Sequence, residues 1–262
     1  MITSLQNRHV KQAVRLRERR QREKQGRFLI DGGRELLRAI QAGVSILQAF
    51  VCEPLCTTDE SGAALAALSA SAAEVLPVSA EVFAKLAFGA RAEGVLGVAA
   101  LPKSRLEELP LPSRPLVAVL EGVEKPGNIG AVLRSADGAR VSAVVVADGG
   151  TDLYNPNTIR ASLGTIFSMP IVTASTGQTV AWLRQAGLTI FAAQTSAKLL
   201  YTAADFNRPA AIVLGSEARG LSPAWSDAGV IPVRLPMQGI ADSLNVSAAA
   251  AVLFYEALRQ RT

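Results

Sequence analysis

The chain of 262 residues is 49% hydrophobic and only 5% aromatic, has a formal net charge of +5, and contains one histidine and two cysteines. A lone histidine, His9, argues against Ser-His-Asp hydrolysis and most zinc hydrolases, whose sites draw on imidazoles. No stretch holds the ~20 uninterrupted apolar residues that span a bilayer, and the start, MITSLQNRHVKQ, has no apolar signal core, so the expectation is a cytoplasmic protein with neither membrane nor metal partners.

Charge is concentrated at the start. Residues 1–40 hold eleven Lys/Arg against four Asp/Glu, a net of +7, while the remainder sums to −2. Residues 7–24 predict one basic helix with Arg8, Lys11, Arg15, Arg19 and Arg22 spaced three or four apart. A solvated helix face is the common meaning of such a run. The functional meaning is an electrostatic clamp on the phosphates of a polyanionic partner, giving salt-sensitive, sequence-independent affinity.

Strands are predicted next at 27–30, 46–52, 75–78 and 94–100, with helices at 34–42, 63–73 and 80–87 between them. This alternation describes a small α/β domain over residues 1–102. Cys52 and Cys56 make a lone C-x-x-x-C. Without a nearby histidine they cannot complete a four-ligand zinc site, so they are read as ordinary thiols. The glycine-flanked stretch 89–94, GARAEG, is a loop, and the proline-punctuated LPKSRLEELPLPSRP places a linker at 103–115.

From residue 116 strands and helices alternate strictly. Apolar runs rich in Val and Ile at 116–122, 142–147, 171–174, 189–193, 211–214 and 230–235 are the pattern of strands buried on both faces of a parallel sheet. Helices are predicted at 128–138, 155–167, 179–187 and 243–259. Asn128 is expected to cap the first, Asn155 with Pro156 the second, and Asp242 or Ser243 the last. The fold class is therefore α/β in both parts, with the larger domain spanning 116–262.

Three strings in this region carry chemistry. Glu124 to Arg134 reads EKPGNIGAVLR, and Asn128 and Arg134 lie nearly two helical turns apart, on roughly one face. Gly215 to Ser222 reads GSEARGLS after a buried strand, where the glycines let a backbone approach a ligand at the sheet's C-terminal edge. Leu235 to Asn245 reads LPMQGIADSLN, a glycine loop ahead of an alanine-rich helix. Neither a dinucleotide fingerprint nor a P-loop is present.

Together these strings resemble the three signature motifs of the SpoU/TrmH family of RNA ribose 2′-O-methyltransferases, in the family's order and spacing. The resemblance implies a C-terminal domain tied in a deep trefoil knot and preceded by a ribosomal-protein-like substrate-binding domain. It implies S-adenosylmethionine as cofactor, a homodimer, and 2′-O-methylation of RNA, with ribosomal RNA favoured over transfer RNA. It also implies the site: Asn128, Arg134, Glu217, Ser243 and Asn245 for catalysis, with Arg134 acting at the target ribose, Asn128 orienting Arg134 and the ribose, and Glu217 orienting Arg134 or the pocket loop. The cofactor would be held by Ala193, Gln194 and Thr195, by Leu214, Gly215, Glu217, Gly220 and Leu221, and by Leu235, Met237, Ser243, Leu244 and Asn245. The alternatives are a transfer-RNA ribose methyltransferase, a base methyltransferase, and a non-catalytic RNA-binding protein that keeps the fold.

Overall fold

The computed structural model describes residues 1–88, 92–226 and 229–262. The chain divides into two units, Met1–Lys103 with Asp152–Ser168, and Ser104–Thr151 with Met169–Thr262. The expected loop at 89–94 falls partly outside the described residues, since 89–91 are not among them.

The first unit begins with α1 (Arg8–Arg15) and α2 (Arg19–Gln25), followed by β1 (Arg27–Asp31), α3 (Gly33–Gln41), β2 (Ile46–Val51), α4 (Asp59–Ser69), β3 (Glu74–Pro77), α5 (Ala80–Leu86) and β4 (Val95–Ala100). Its sheet runs β1-β4-β2-β3, antiparallel except where β2 meets β3. Helices α3 and α4 touch closely at Gly33, where a Cβ would sit 2.6 Å from the Ser61 amide. Val10, Ala13 and Leu16 of the N-terminal segment pack with Leu29, Phe50, Val82 and Phe83.

The single basic helix expected at 7–24 is two helices. Leu16, Arg17 and Glu18 donate their amides only three residues back, to Ala13, Val14 and Arg15, and Glu18 then turns extended (φ −91°, ψ 132°). The break turns Arg22 inward. It is 2% exposed, its Nε donates to Asp152 at 2.6 Å, and its Nη1 donates to the carbonyls of Leu16 and Arg17 at 2.7 and 2.8 Å. Arg22 therefore holds the fold and cannot grip RNA, contrary to the sequence expectation. Arg8, Lys11, Arg15 and Arg19 are not buried in this way, and Arg19 sits beside Glu23 at 2.8 Å.

The second unit starts earlier than expected. Within the anticipated linker, a 3₁₀ turn at Leu106–Glu108 buries Leu106 among Val117, Val172, Leu183 and Trp225. Then come β5 (Leu116–Glu121), α6 (Pro126–Gly138) and β6 (Ala143–Ala147). The chain next contributes 152–168 to the first unit, including α7 (Pro156–Ala161). There Tyr154 and Phe167 bracket the Phe28 ring, with centroids at 4.7 and 6.1 Å, and Arg38 donates to the Leu163 carbonyl. By its contacts the stretch 152–168 groups with the first unit, although it lies inside the 116–262 expected to form the larger domain. Asn155 caps α7 as expected, accepting from Asn157 N at 2.9 Å.

The second unit resumes with β7 (Ile171–Ala174), α8 (Thr176–Gln185), β8 (Thr189–Ala193), β9 (Leu199–Leu200), β10 (Ala210–Leu214), β11 (Ile231–Arg234) and α9 (Val246–Arg261). Among the described residues these strands form one parallel sheet in the order β7-β6-β5-β10-β8-β11-β9. β5, β6 and β10 are buried along their whole length, which is why they read as unbroken apolar runs. All their C-terminal ends, and those of β8 and β11, lie at one sheet edge, and every motif follows one of these ends.

Candidate functional site

The first motif leaves β5 at Glu121 and enters α6 with Pro126 in its first turn, a position where a missing N–H costs nothing. Lys125, not Asn128, occupies the cap position, and the amide of Asn128 already donates to the Lys125 carbonyl at 3.0 Å. The Asn128 side chain is thereby released for the site, where Nδ2 donates to Glu217 Oε1 at 3.0 Å.

Glu217 lies in the second motif, on a tight turn after β10 in which Gly220 N donates to Ser216 O at 2.9 Å. The turn requires Gly215: a Cβ there would lie 2.4 Å from the Gly220 carbonyl oxygen. Glu217 gathers three side chains. Lys125 Nζ donates to Oε2 at 2.7 Å, and the amides of Asn128 and Asn245 both donate to Oε1. These donors, Lys125 first and Asn128 next, lower its pKa and keep it ionised.

The third motif closes the set. Asn245, rather than Asp242 or Ser243, caps α9: its Oδ1 accepts from Ser247 N at 2.9 Å while its Nδ2 reaches Glu217 and Asn128 Oδ1. One side chain thus starts the helix and joins the cluster. Three separate stretches meet at a carboxylate on the sheet's C-terminal edge.

Next to this cluster is a cavity of about 470 Å³, within the size range of small-molecule sites. Twelve of the thirteen residues expected to hold a cofactor line it: Ala193, Gln194, Thr195, Leu214, Gly215, Glu217, Gly220, Leu221, Leu235, Met237, Ser243 and Leu244. Asn245 is not among the lining residues, while Ser196, Ser216, Val233, Val246, Ala249 and Leu253 are. The cavity combines leucine and methionine walls with the polar side chains of Gln194, Thr195, Ser196 and Ser243.

Arg134 stands apart. It is exposed on α6 and does not line this cavity, and among the described residues its side chain makes no hydrogen bond or ion pair. Of the two roles expected for Glu217, orienting Arg134 or the pocket loop, its contacts go to Lys125, Asn128 and Asn245 and not to Arg134. Sequence reasoning missed Lys125 and the buried Glu121, which accepts from Thr176 Oγ1 at 2.8 Å and from Ser222 N and Oγ at 2.7 Å each. Both belong to the first motif's strand and loop, and a charged residue ending an apolar strand was the available signal for Glu121.

Residues 115–255 match the model of the SpoU rRNA Methylase family, and residues 7–97 match that of the MRM3-like substrate binding domain. A 23S rRNA (uridine(2479)-2'-O)-methyltransferase of Streptomyces viridochromogenes is 35% identical over 173 residues, covering 64% of this chain and 60% of that protein. A crystal structure of an RNA 2'-O ribose methyltransferase is 45% identical, with a TM-score of 0.86 over 99% of this chain and 98% of the other. The SpoU methyltransferase AviRb from Streptomyces viridochromogenes, solved with AdoMet, is 28% identical, with a TM-score of 0.88 over 98% of each chain.

Proposed function

The chain belongs to the SpoU rRNA methylase family, and we propose that it transfers a methyl group from S-adenosylmethionine to a ribose 2′-hydroxyl of ribosomal RNA. The observation that carries this reading is the meeting of all three motifs at Glu217, on the rim of a cavity that suits the cofactor. Leucine and methionine side chains offer faces for an adenine ring. Gln194, Thr195 and Ser196 offer hydrogen bonds to the polar part, and the absent side chain of Gly215 keeps the wall thin. The ionised Glu217 favours a cationic sulfonium nearby.

The cofactor would supply an electrophilic methyl group and leave as a neutral thioether, so the protein's work is to place the hydroxyl and ease loss of its proton to water. Glu217 already accepts from three donors, which makes it the hub that orients Asn128 and Asn245 rather than a free base. Ser243, on the cavity wall, completes the polar lining. Arg134 polarises the hydroxyl or fixes the neighbouring phosphate in bidentate fashion. A guanidinium, with a pKa above ~12, is no general base.

The protein acts as a homodimer in the cytoplasm, and Arg134 serves the partner's site. Two features support the dimer and the role in trans. Arg134 takes no part in its own cluster's hydrogen bonds, and α9 exposes Val252 and Tyr255 (37% and 52%), an apolar stripe suited to a second copy. Residues 1–102 bind the substrate RNA, with Arg8, Lys11, Arg15 and Arg19 on phosphates. The trefoil knot is carried over from the family and agrees with the strand order.

The test is transfer of a labelled methyl from S-adenosylmethionine to unmodified ribosomal RNA, followed by alkaline hydrolysis. Label in alkali-resistant dinucleotides is expected. Label confined to mononucleotides would identify base methylation and overturn the reading, as would RNA binding without transfer.

A further inference from the structure

The second unit buries one carboxylate that the proposed chemistry leaves unused. Glu121, the last residue of β5, is 5% exposed and does not line the cofactor cavity. Its Oε1 accepts the Thr176 and Ser222 hydroxyls at 2.8 and 2.7 Å, and its Oε2 accepts the Ser222 amide at 2.7 Å. Thr176 opens α8 and is itself held, its amide donating to Asp148 at 3.0 Å. Taking a carboxylate out of water is costly, and well-packed apolar residues of similar volume commonly stabilise a fold as well or better. Stability alone is thus a weak reason for a carboxylate at this point. What it does, and a leucine could not, is fix two separate segments through hydrogen bonds.

One of those segments is the second motif. Leu120 of β5 pairs with Leu214 of β10, so Glu121 stands beside Gly215, where the loop 215–222 leaves the sheet. Its side chain holds Ser222, where the loop ends. Just before that anchor lies Gly220, at φ +63°, in a region that glycine enters and leaves with equal ease. The tie at Ser222 therefore restrains the loop where its backbone is freest. Within the loop, Glu217 brings Oε1 to 3.0 Å from the Asn128 amide nitrogen and 2.5 Å from that of Asn245. A shift of ~1 Å would break this meeting, and misplacements of that size can cost ~10²-fold in rate.

We propose that Glu121 is a positioning residue for methyl transfer. Its carboxylate holds Ser222, and through Ser222 the second-motif loop, so that Glu217 stands where Asn128 and Asn245 meet. Thr176 and Asp148 form the footing on which Glu121 rests. The proposal rests on the methyl transfer proposed above and adds a residue that acts through Glu217, not on the reacting atoms.

The test is single-turnover transfer of a labelled methyl from saturating S-adenosylmethionine to an unmodified 23S rRNA transcript by the full chain. The unfolding midpoint is measured in each preparation. Glu121→Ala is expected to slow transfer by about 10²-fold. Glu121→Gln should stay within about threefold of wild type, since an amide can turn its oxygen to the Ser222 N–H and its NH2 to the two hydroxyls, which accept as well as donate. Combining Glu121→Ala with Glu217→Ala should be no slower than Glu217→Ala alone, because both changes act through one carboxylate. A merely structural defect would instead multiply the two losses, and that result overturns the proposal. So does an unchanged rate in Glu121→Ala, or a Glu121→Gln protein as slow as Glu121→Ala, which would assign the role to charge. If Glu121→Ala fails to fold, Ser222→Ala takes its place in the same cycle. Its rate should fall by about threefold or more, as for the loss of one hydrogen bond, and only while Glu217 is present. An unchanged rate there overturns the proposal. Wild-type protein that transfers no methyl group would sink the functional reading itself.

Discussion

In the first unit Arg22 lies inside the fold, 2% exposed, with its guanidinium spent on Asp152 and two backbone carbonyls, and Asp31 ends β1, 6% exposed, accepting the Phe88 amide at 2.6 Å. In the second unit the ionised Glu217 stands on an exposed rim, held by Lys125, Asn128 and Asn245. Both units use charged groups with several partners. The difference is what the partners are for. Around Arg22 they make burial tolerable, whereas around Glu217 they fix a constellation whose faces remain open to a ligand. Substitutions in the two places should therefore separate stability from activity.

The largest effect on folding is expected at Arg22. Arg22→Ala leaves Asp152 without its cation and the Leu16 and Arg17 carbonyls without a donor, so it should lower stability by about 3–5 kcal/mol. Chemical denaturation of the full chain would read this as early unfolding of the first unit. A midpoint equal to wild type would mean the ion pair carries no structural weight, and the contrast between units would fail.

A smaller and pH-dependent effect is expected at Asp31. Burial pushes its carboxyl up to about 6 from 3.8, with the Phe88 amide and Arg160 pulling the other way. The folded state thus holds the proton more tightly than the unfolded one. The stability this contributes is full below about pH 3.8 and is lost as the pH rises through about 6. Asp31→Asn removes the titration and keeps an acceptor for Phe88. Its stability relative to wild type should grow between pH 4 and 7, by up to about 3 kcal/mol. A difference that does not vary with pH would show that Asp31 titrates normally.

The smallest effect on the fold is expected on α1. Replacing Arg8, Lys11 and Arg15 by Gln should leave the unfolding midpoint unchanged. For each RNA phosphate no longer neutralised, the salt slope of RNA binding should fall by ~0.7–0.9. An unaltered slope would make this helix a solvated face, leaving RNA affinity to other surfaces.

Much of the second unit was legible because its strands are buried on both sides and its motifs sit at strand ends, so local order sufficed. Twelve of the residues that the family resemblance implied for a cofactor line one cavity at those loops. What escaped were choices of partner. Asn155 and Pro156 announce a helix, but nothing local says that residues 152–168 pack on Phe28 and Arg38 of the first unit. The spacing of Arg22 matches that of its neighbours on the basic run, and only the break at Leu16–Glu18 turns it inward. Asn128 and Asn245 are equally good caps by residue type. The structure uses Asn245 at both tasks and Asn128 at the site alone.

Exposed polar residues of the three motifs are assigned to the ribose, and the neighbouring cavity to the cofactor. Arg134 tests this division most directly, since it lies outside that cavity and among the described residues its side chain makes no hydrogen bond or ion pair. Single-turnover methyl transfer by Arg134→Ala should be measured with S-adenosylmethionine affinity in the same preparation. The expected result is a rate lower by about 10²–10³-fold, as for removal of a preorganised donor at a reacting oxygen, with cofactor affinity nearly intact. Wild-type transfer by the Arg134→Ala protein would contradict the assignment.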